Sequence, residues 1–256
     1  AGSAAVGIAD MIVAGIVEES GMTETDARKL FWLIDSQGLV VKNGSRPLQD
    51  HKIPYARDAE QIKTLLEVIK AVKPTILVGV SGQGQAFTEE VVKEMLNYSE
   101  QPIIFALSNP TSKSECSAEQ AYSWTDGKVI FASGSPFDPV RMKGKIYVSG
   151  QGNNMFIFPG VGLGASLCQA TKVTDAMFYA AAKTLAEMVT DEELALGTVY
   201  PDLRKIRKIS ATIAAGICEM AFENGLARIE RPENIAAFIE KRMFQPEYPA
   251  YVAATE

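Results

Sequence analysis

Short apolar runs alternate with helical stretches through the first 150 residues, and this alternation constrains the fold more than any other feature. Each run is continuous rather than interrupted by polar residues, as in strands that are covered on both faces. Strands that alternate with helices form a parallel, doubly wound sheet. The predicted strands occupy residues 30–34, 75–80, 103–107 and 129–132. The sequence therefore predicts an α/β, Rossmann-like fold.

The pattern changes after Gly150, where helices follow one another without strands between them. Apolar spacing and capping residues predict these helices near residues 159–170, 174–189, 203–223 and 231–243. We find no internal repeat and no flexible linker. We therefore predict a single domain over residues 1–256, with a C-terminal helical part from about residue 155.

Charge and cysteine content argue against several classes of function. The net charge of −6 does not suit a surface for nucleic acid or anionic membranes, which would be basic. No apolar run is long enough to predict a membrane span. Cys116, Cys168 and Cys218 form no CxxC pair, so we predict buried, reduced thiols in a reducing compartment. A single histidine, His51, argues against a zinc site.

Polar residues follow each predicted strand at the point where the strand ends. These residues are Asp35, Ser81, Asn109 and Ser133. In an open α/β sheet, ligands bind in the crevice beyond the carboxyl ends of the strands. We therefore expect these four side chains to converge in one crevice.

The first residues, AGSAAVGIAD, resemble the end of a glycine-rich phosphate loop that opens a helix. Gly2 would let the backbone approach a pyrophosphate, and the N–H groups of Ser3, Ala4 and Ala5 would face it. Gly7 would permit close packing of the helix on a strand. We expect that the first glycine of the loop and the first strand are missing, because the chain starts inside the motif. The alternative is a small-residue packing face on an ordinary helix.

Four further positions suit nucleotide or substrate recognition, each with a plainer alternative. A carboxylate at Asp35 could accept hydrogen bonds from the ribose hydroxyls of a dinucleotide, or it could cap a turn. Ser81-Gly82 could pass close under a cofactor, or form an ordinary turn between strand and helix. The amides of Asn109 and of Asn153-Asn154 offer a donor and an acceptor each, or could merely shape turns.

Seven segments together resemble malic enzymes, in the order found in that family. The segments are GSAAVGIA, WLIDSQGLVVKN, VGVSGQGQAFTEE, FALSNPTSKSEC, ASGSPFDPV, GQGNNMFIFPGVGLG and TDEELALGTVYP. The chain looks like the carboxyl-terminal NAD(P)-binding domain of the large-subunit type, from residue 1 to about 251.

The resemblance implies oxidative decarboxylation of malate to pyruvate and carbon dioxide, with hydride passing to a nicotinamide. It also implies Mg²⁺ or Mn²⁺ as a Lewis acid. By motif match, Asn109, Asn153 and Asn154 would bind substrate. The positions that would bind cofactor are Gly2, Ser3, Ala4, Ala5, Asp35, Ser36, Lys52, Ser81, Gly82 and Asn109.

The family's general-base lysine, tyrosine acid and acidic metal ligands lie upstream of the glycine loop, and no segment here resembles them. We therefore assign no catalytic residue and no metal ligand within this chain, and expect the chain alone to be inactive. Asp10, Glu89 and Glu90 are interpreted as solvated helix residues. A stand-alone dinucleotide-binding module without malate turnover remains the alternative. Another Rossmann dehydrogenase would not explain the two asparagine motifs.

Cofactor choice depends on Lys52, which falls where malic enzymes that use NADP place a lysine. An ammonium beside a 2′-phosphate is a strong, charge-assisted contact. Gln37 weakens this inference because many NADP-using relatives carry a second lysine there. We favour NADP over NAD. The resemblance further implies a homo-oligomer, dimer or tetramer, and we expect a cytoplasmic protein, with mitochondrial matrix or plastid as alternatives.

Overall fold

The main sheet has four parallel strands, with helices between successive strands. In this computed structural model, which describes residues 1–44 and 47–247, the strands are β3 (Ile76–Gly79), β4 (Ile103–Ala106), β5 (Ile130–Ser133) and β8 (Gly150–Gln151). Their order in the sheet is β3-β4-β5-β8. The continuous apolar runs predicted this arrangement, and the α/β, Rossmann-like fold is confirmed.

Two helices connect the first three strands of this sheet and cover its core. They are α4 (Glu89–Met95) and α5 (Ala118–Trp124), each begun by a hydroxyl cap, Thr88 and Ser117. Ser117 and Gln120 form a reciprocal capping box, which satisfies two otherwise unpaired helix N–H groups. The helices and strands bury a shared apolar core that includes Ile69, Leu77, Phe87, Val92, Met95, Ile104, Tyr122 and Phe131.

The N-terminal segment packs around a second apolar cluster. Helix α1 (Ser3–Ser20) runs beside α2 (Glu24–Arg28), and the hairpin of β1 (Ile34–Asp35) and β2 (Gly38–Leu39) follows. The cluster contains Val6, Ala9, Val13, Ala27, Leu33, Val40 and Tyr55. A 3₁₀ helix, Asp50–Tyr55, and helix α3 (Leu65–Val72) lead into the main sheet.

Two sequence predictions about strands are wrong. Residues 30–34 do not form a strand of the parallel sheet; only Ile34–Asp35 is extended, in an antiparallel hairpin. Arg57 Nη2 lies within hydrogen-bonding distance of the carbonyl groups of Arg28, Lys29 and Phe31, and of these three residues only Phe31 belongs to the predicted strand. The Phe31 carbonyl group therefore pairs with a side chain and not with a neighbouring strand. The second error is the opposite one: strand β8 was not predicted, because its two residues lack the apolar pattern that indicates a strand.

The chain divides into two compact units. The first comprises Ala1–Asn154 and Leu185–Leu203, and the second comprises Met155–Thr184 and the chain from Arg204 onward. The first unit also carries the antiparallel pair β6 (Val140–Met142) and β7 (Lys145–Tyr147), and helix α8 (Asp191–Ala195). Residues 45–46 and 248–256 lie outside the described part.

The second unit is helical, as predicted for the C-terminal part. Its elements are α6 (Phe158–Leu167), α9 (Ile206–Glu223) and α10 (Ile235–Arg242), with most of α7 (Asp175–Glu187). Helix α6 approaches α9 closely, because an added Cβ on Gly164 would come within 2.6 Å of the Ala214 carbonyl oxygen. Small residues on α6 therefore set the helix spacing in this unit.

Candidate functional site

The start of α1, Asp35 and Lys52 lie together in the first unit. The Ala1 amino nitrogen donates to the Ile34 carbonyl, one residue from Asp35. The Lys52 ammonium lies 2.6 Å from Asp35 Oδ2, and the two side chains are largely covered, 12% and 23% exposed. Three of the predicted cofactor-binding positions, Gly2, Asp35 and Lys52, are thus brought to one place from three segments of the chain. We call this group the helix-start cluster.

The charge of Asp35 is stabilised within this cluster. Burial alone would raise its pKa, but the Lys52 ammonium and the Gln37 N–H, which donates at 2.9 Å, lower the pKa below its usual value. Asp35 is therefore held as a carboxylate with both oxygens hydrogen-bonded. Asp35 is therefore charged at neutral pH, and the Lys52 ammonium balances its negative charge.

The segment that carries Lys52 is fixed to α1 by Tyr55. The Tyr55 hydroxyl donates to Asp10 Oδ1 at 2.6 Å, and Arg28 lies 3.6 Å from the same carboxylate oxygen. Burial and the Asp10 carboxylate raise the pKa of Tyr55 to about 12, so the hydroxyl keeps its proton. Asp10 is an exposed residue of α1, as predicted, and its carboxylate also ties the 3₁₀ segment to the helix.

The predicted convergence of strand ends is seen in the main sheet, but Asp35 does not end a strand of that sheet, contrary to the prediction. The turn after β3 meets the turn after β4, because the Gly82 N–H donates to Ser108 Oγ at 2.8 Å. Asp35 lies instead in the β1–β2 hairpin, since the chain turns back at Ser36-Gln37 before a parallel strand can form. Its predicted role toward a ribose remains a prediction.

The turns after β4, β5 and β8 continue this row of contacts. Ser135 Oγ donates to Asn109 Oδ1 at 2.7 Å, which orients the exposed Asn109 amide. The Gly152 N–H donates to the Ser133 carbonyl at 2.8 Å, and Gln151 Nε2 donates to the Gly134 carbonyl at 3.2 Å. Four turns are therefore joined side by side, and we call them the strand-end row.

Asn153 and Asn154 follow directly after the last turn of the strand-end row. Asn153 is half-buried, and the exposed Asn154 begins a 3₁₀ turn, Asn154–Phe156. Tyr200 closes this turn from one side, because an added Cβ on Gly152 would come within 3.0 Å of its hydroxyl. The amides of Asn109 and Asn153 thus belong to turns that the same segment, residues 133–135, holds together.

The remaining predicted positions are accessible. Helix α1 begins at Ser3 with Gly2 as its N-cap, and Ser3 and Ala4 are exposed. Ser36, Ser81 and Gly82 are exposed as well. An added Cβ on Gly7 would meet no atom of the described residues within 4 Å, and the close packing of helix on strand at Gly7 stays a prediction.

Sequence reasoning missed the buried polar residues that support these turns. Glu115, Ser108 and Ser135 are buried and hydrogen-bond across the strand-end row. Their partners lie 7 to 34 residues away in the chain. The only local signal was an acidic residue, Glu115, next to Cys116, which was predicted to be buried. That signal alone does not identify the hydrogen-bond partners of Glu115.

The helix-start cluster fits a dinucleotide, and the described residues do not fit a metal ion. Gly2 is the N-cap of α1 and makes no side-chain cap, and the backbone N–H groups at a helix start are suited to a phosphate. Asp35 and Lys52 stand beside it, where a ribose and a 2′-phosphate could be met. Within residues 1–44 and 47–247, no group of three or more His, Cys, Asp or Glu side chains could hold a metal ion.

Comparison with known families gives one match over most of the chain. Residues 1–222 match the family described as "Malic enzyme, NAD binding domain". The chain is 52% identical over 250 residues to an NADP-dependent malic enzyme of Dictyostelium discoideum. It is 51% identical over 252 residues to a chloroplastic NADP-dependent malic enzyme of Flaveria pringlei.

These alignments cover nearly all of this chain but less than half of each relative. They include 97% and 98% of the chain, against 46% and 39% of the two relatives. Among solved structures, the crystal structure of Entamoeba histolytica malic enzyme is similar in fold, with a TM-score of 0.67 at 21% identity, over 92% of this chain and 52% of that one. In the described part of the chain, no helix is both long and apolar enough to cross a bilayer.

Proposed function

The chain belongs to the malic enzyme family and matches its NAD-binding domain, and from that premise we propose that it holds NADP for the oxidative decarboxylation of malate. The products would be pyruvate and carbon dioxide. The observation that carries the proposal is the strand-end row, which sets Ser81-Gly82 beside the turn of Asn109 and links that turn to Asn153. A cofactor-binding turn and two substrate amides would therefore share one edge of the sheet.

In this proposal the dinucleotide lies along the carboxyl edge of the sheet. The N–H groups of Ser3 to Ala5 would receive its phosphates at the positive end of α1. Asp35 would meet the adenosine ribose, and Ser36 and Lys52 would lie on the side of the 2′-position. When bound, the nicotinamide supplies the hydride acceptor for the reaction.

The substrate would be held by amides rather than by charge. Asn109 already has its oxygen engaged by Ser135, so its Nδ2 group is turned to donate to a carboxylate or hydroxyl of malate. Asn153 would bind malate from the other side, and Asn154 would contribute less directly. We assign no proton transfer to this chain, and propose that Mg²⁺ or Mn²⁺ and the acid–base groups come from another segment of the enzyme.

The choice of NADP over NAD follows from Lys52. Its ammonium cancels the charge of Asp35, which would otherwise repel a 2′-phosphate. The relatives named above are called NADP-dependent, which supports the same choice. We also propose a reducing compartment, cytoplasmic or within an organelle, because all three cysteines are buried free thiols. A homo-oligomer is proposed from the family resemblance.

Two measurements test this function. Titration of the 256-residue chain with NADPH and with NADH should show binding, tighter for NADPH. Malate-dependent reduction of NADP with Mn²⁺ should be absent for the chain alone and present in the enzyme that contains it. Turnover by the chain alone would contradict our placement of the chemistry elsewhere. Nucleotide binding without any malate turnover in the larger enzyme would favour the stand-alone binding module.

A further inference from the structure

Glu115 is a fully buried carboxyl group in the segment that follows β4. Its relative exposure is 0%, although glutamate is rarely buried without partners. The segment is held by its own backbone, since the Phe87 N–H donates to the Glu115 carbonyl at 2.9 Å. The side chain lies against the end of β3, where an added Cβ on Gly79 would come within 2.5 Å of Glu115 Cδ. Glycine at that strand end leaves the space that the carboxyl group fills.

The Glu115 carboxyl group joins two turns of the strand-end row. Oε1 accepts from the Ser81 N–H at 3.1 Å, from Ser81 Oγ at 3.2 Å and from Ser108 Oγ at 2.5 Å. Oε2 accepts from the Ser108 N–H at 3.3 Å. A carboxylate suits this set because both of its oxygens accept. One buried side chain thus holds the turn after β3 and the turn after β4.

Ser108 extends this link to the exposed part of the site. Its hydroxyl donates to Glu115 and accepts from the Gly82 N–H at 2.8 Å. The next residue is Asn109, and Ser81 and Gly82 are exposed on the other turn. Glu115 therefore stands one contact behind both the proposed cofactor turn and the proposed substrate amide.

We propose that Glu115 is a positioning residue that sets Ser81-Gly82 and Asn109 in register, so that cofactor and malate are bound by one coupled pair of turns. This inference rests on the proposed function. Glu115 touches neither ligand, and its effect passes through Ser81 and Ser108. A residue that only stabilised the fold would leave the affinity of the folded protein unchanged.

The test compares Glu115→Gln with Ser114→Ala, a matched control. Ser114 is the neighbouring buried residue, and its hydroxyl donates to the Cys116 carbonyl rather than to either turn. In Glu115→Gln the amide keeps the contacts of one oxygen but sets its NH₂ group against the Ser108 N–H. We expect the Kd for NADPH to rise about tenfold, the effect of losing one hydrogen bond to a charged group. Ser114→Ala should leave that Kd unchanged.

Kinetics of the active enzyme that contains this chain supply the second readout. Glu115→Gln should raise the KM for NADP and the KM for malate together. Lys52→Gln should raise only the KM for NADP, and Asn109→Ala should raise mainly the KM for malate, with at most a small effect on that for NADP. Glu115→Ala should exceed Glu115→Gln in both effects, and where Glu115→Ala fails to fold, Ser108→Ala replaces it.

The outcomes separate this inference from the function on which it rests. If Glu115→Gln lowers the melting temperature but binds NADPH as the wild type does, Glu115 is structural and the inference is wrong while the proposed function stands. If the two KM values move independently, the turns are not coupled and the inference again fails. Wild-type protein that binds no NADPH would overturn the proposed function, and this inference with it.

Discussion

At the scale of single residues, Asp35 and Lys52 form an ion pair whose effect on binding depends on which nucleotide is present. Without a phosphate nearby, each neutralises the other in a largely covered contact. A 2′-phosphate would bring two further negative charges to the same ammonium. The pair is therefore where we expect a single substitution to change nucleotide preference.

Lys52→Gln should raise the Kd for NADPH ten- to hundredfold and leave that for NADH nearly unchanged. A charge-assisted hydrogen bond of about 1.5–3 kcal/mol sets this range. The loss should be partly reversed in Asp35→Asn/Lys52→Gln, because the repulsive carboxylate is removed as well. Fluorescence titration measures both constants. Lys42→Gln, at an exposed lysine of the neighbouring loop, is the control; equal affinities in all variants would contradict a phosphate contact at Lys52.

Asn109→Ala in the active enzyme should lower kcat/KM for malate ten- to hundredfold and leave the affinity for NADPH nearly intact. The amide would donate to a charged or polar group of malate, a contact of about 1.5–3 kcal/mol. Ser135→Ala should give a smaller loss with the same pattern, because it frees the amide without removing it. Steady-state kinetics at saturating NADP make the comparison; if Asn109→Ala uses malate as the wild type does, the amide only shapes its turn.

Residues whose partners are close in sequence were predictable, and those with distant partners were not. Ser81 and Asn109 could be placed at the sheet edge because each directly follows a continuous apolar run. Glu115 could not, because its partner Ser81 lies 34 residues away and is found only once the strands are paired. Asp35 was misplaced for the same reason, since Arg57 and Lys52 lie beyond the reach of any local pattern.

At the scale of elements, Arg57 decides the path of the segment before the hairpin. Its Nη2 atom lies within hydrogen-bonding distance of three carbonyl oxygens, those of Arg28, Lys29 and Phe31, and the guanidinium lies 4.5 Å from the centre of the Trp32 ring. A planar guanidinium can stack on the ring while one of its nitrogens faces the carbonyl groups, and a lysine ammonium cannot stack in this way. One side chain therefore ties the end of α2 to the residues that lead into the hairpin.

Arg57→Lys should lower the free energy of unfolding by about 1–3 kcal/mol, because the ammonium loses some of the contacts to the carbonyl groups and all of the stacking on the Trp32 ring. Urea denaturation followed by circular dichroism measures the change. Arg141→Lys, at an exposed position of strand β6, is the matched control and should behave as the wild type does. Equal midpoints for the two variants would mean that the segment is held by the apolar cluster and not by Arg57.

At the scale of the whole molecule, β3 is an outer strand of the sheet that the described residues form. Within the described residues, the only strand paired with β3 is β4, and Ile76 is 54% exposed. An apolar residue on an edge strand with free backbone groups favours pairing with another chain. The α/β class itself was predictable, because the apolar runs and the capping residues of the helices point to the same layered arrangement.

Ile76→Lys should reduce concentration-dependent association of the chain, because a charge at the edge opposes strand pairing. The free energy of unfolding should change by no more than about 0.5 kcal/mol, as for other surface substitutions. Light scattering after size-exclusion chromatography measures the association. Leu30→Lys places the same charge at a 60% exposed position outside any strand; if it reduces association equally, the edge of the sheet is not the contact.

The hydrogen bond from Ser135 to Asn109 also has a thermodynamic consequence. Ser135 Oγ lies 2.7 Å from Asn109 Oδ1, so folding already restricts the rotation of this exposed side chain. A ligand bound by the other end of the amide would then require a smaller loss of side-chain entropy. The amide is thus ordered in part by folding and not by the ligand.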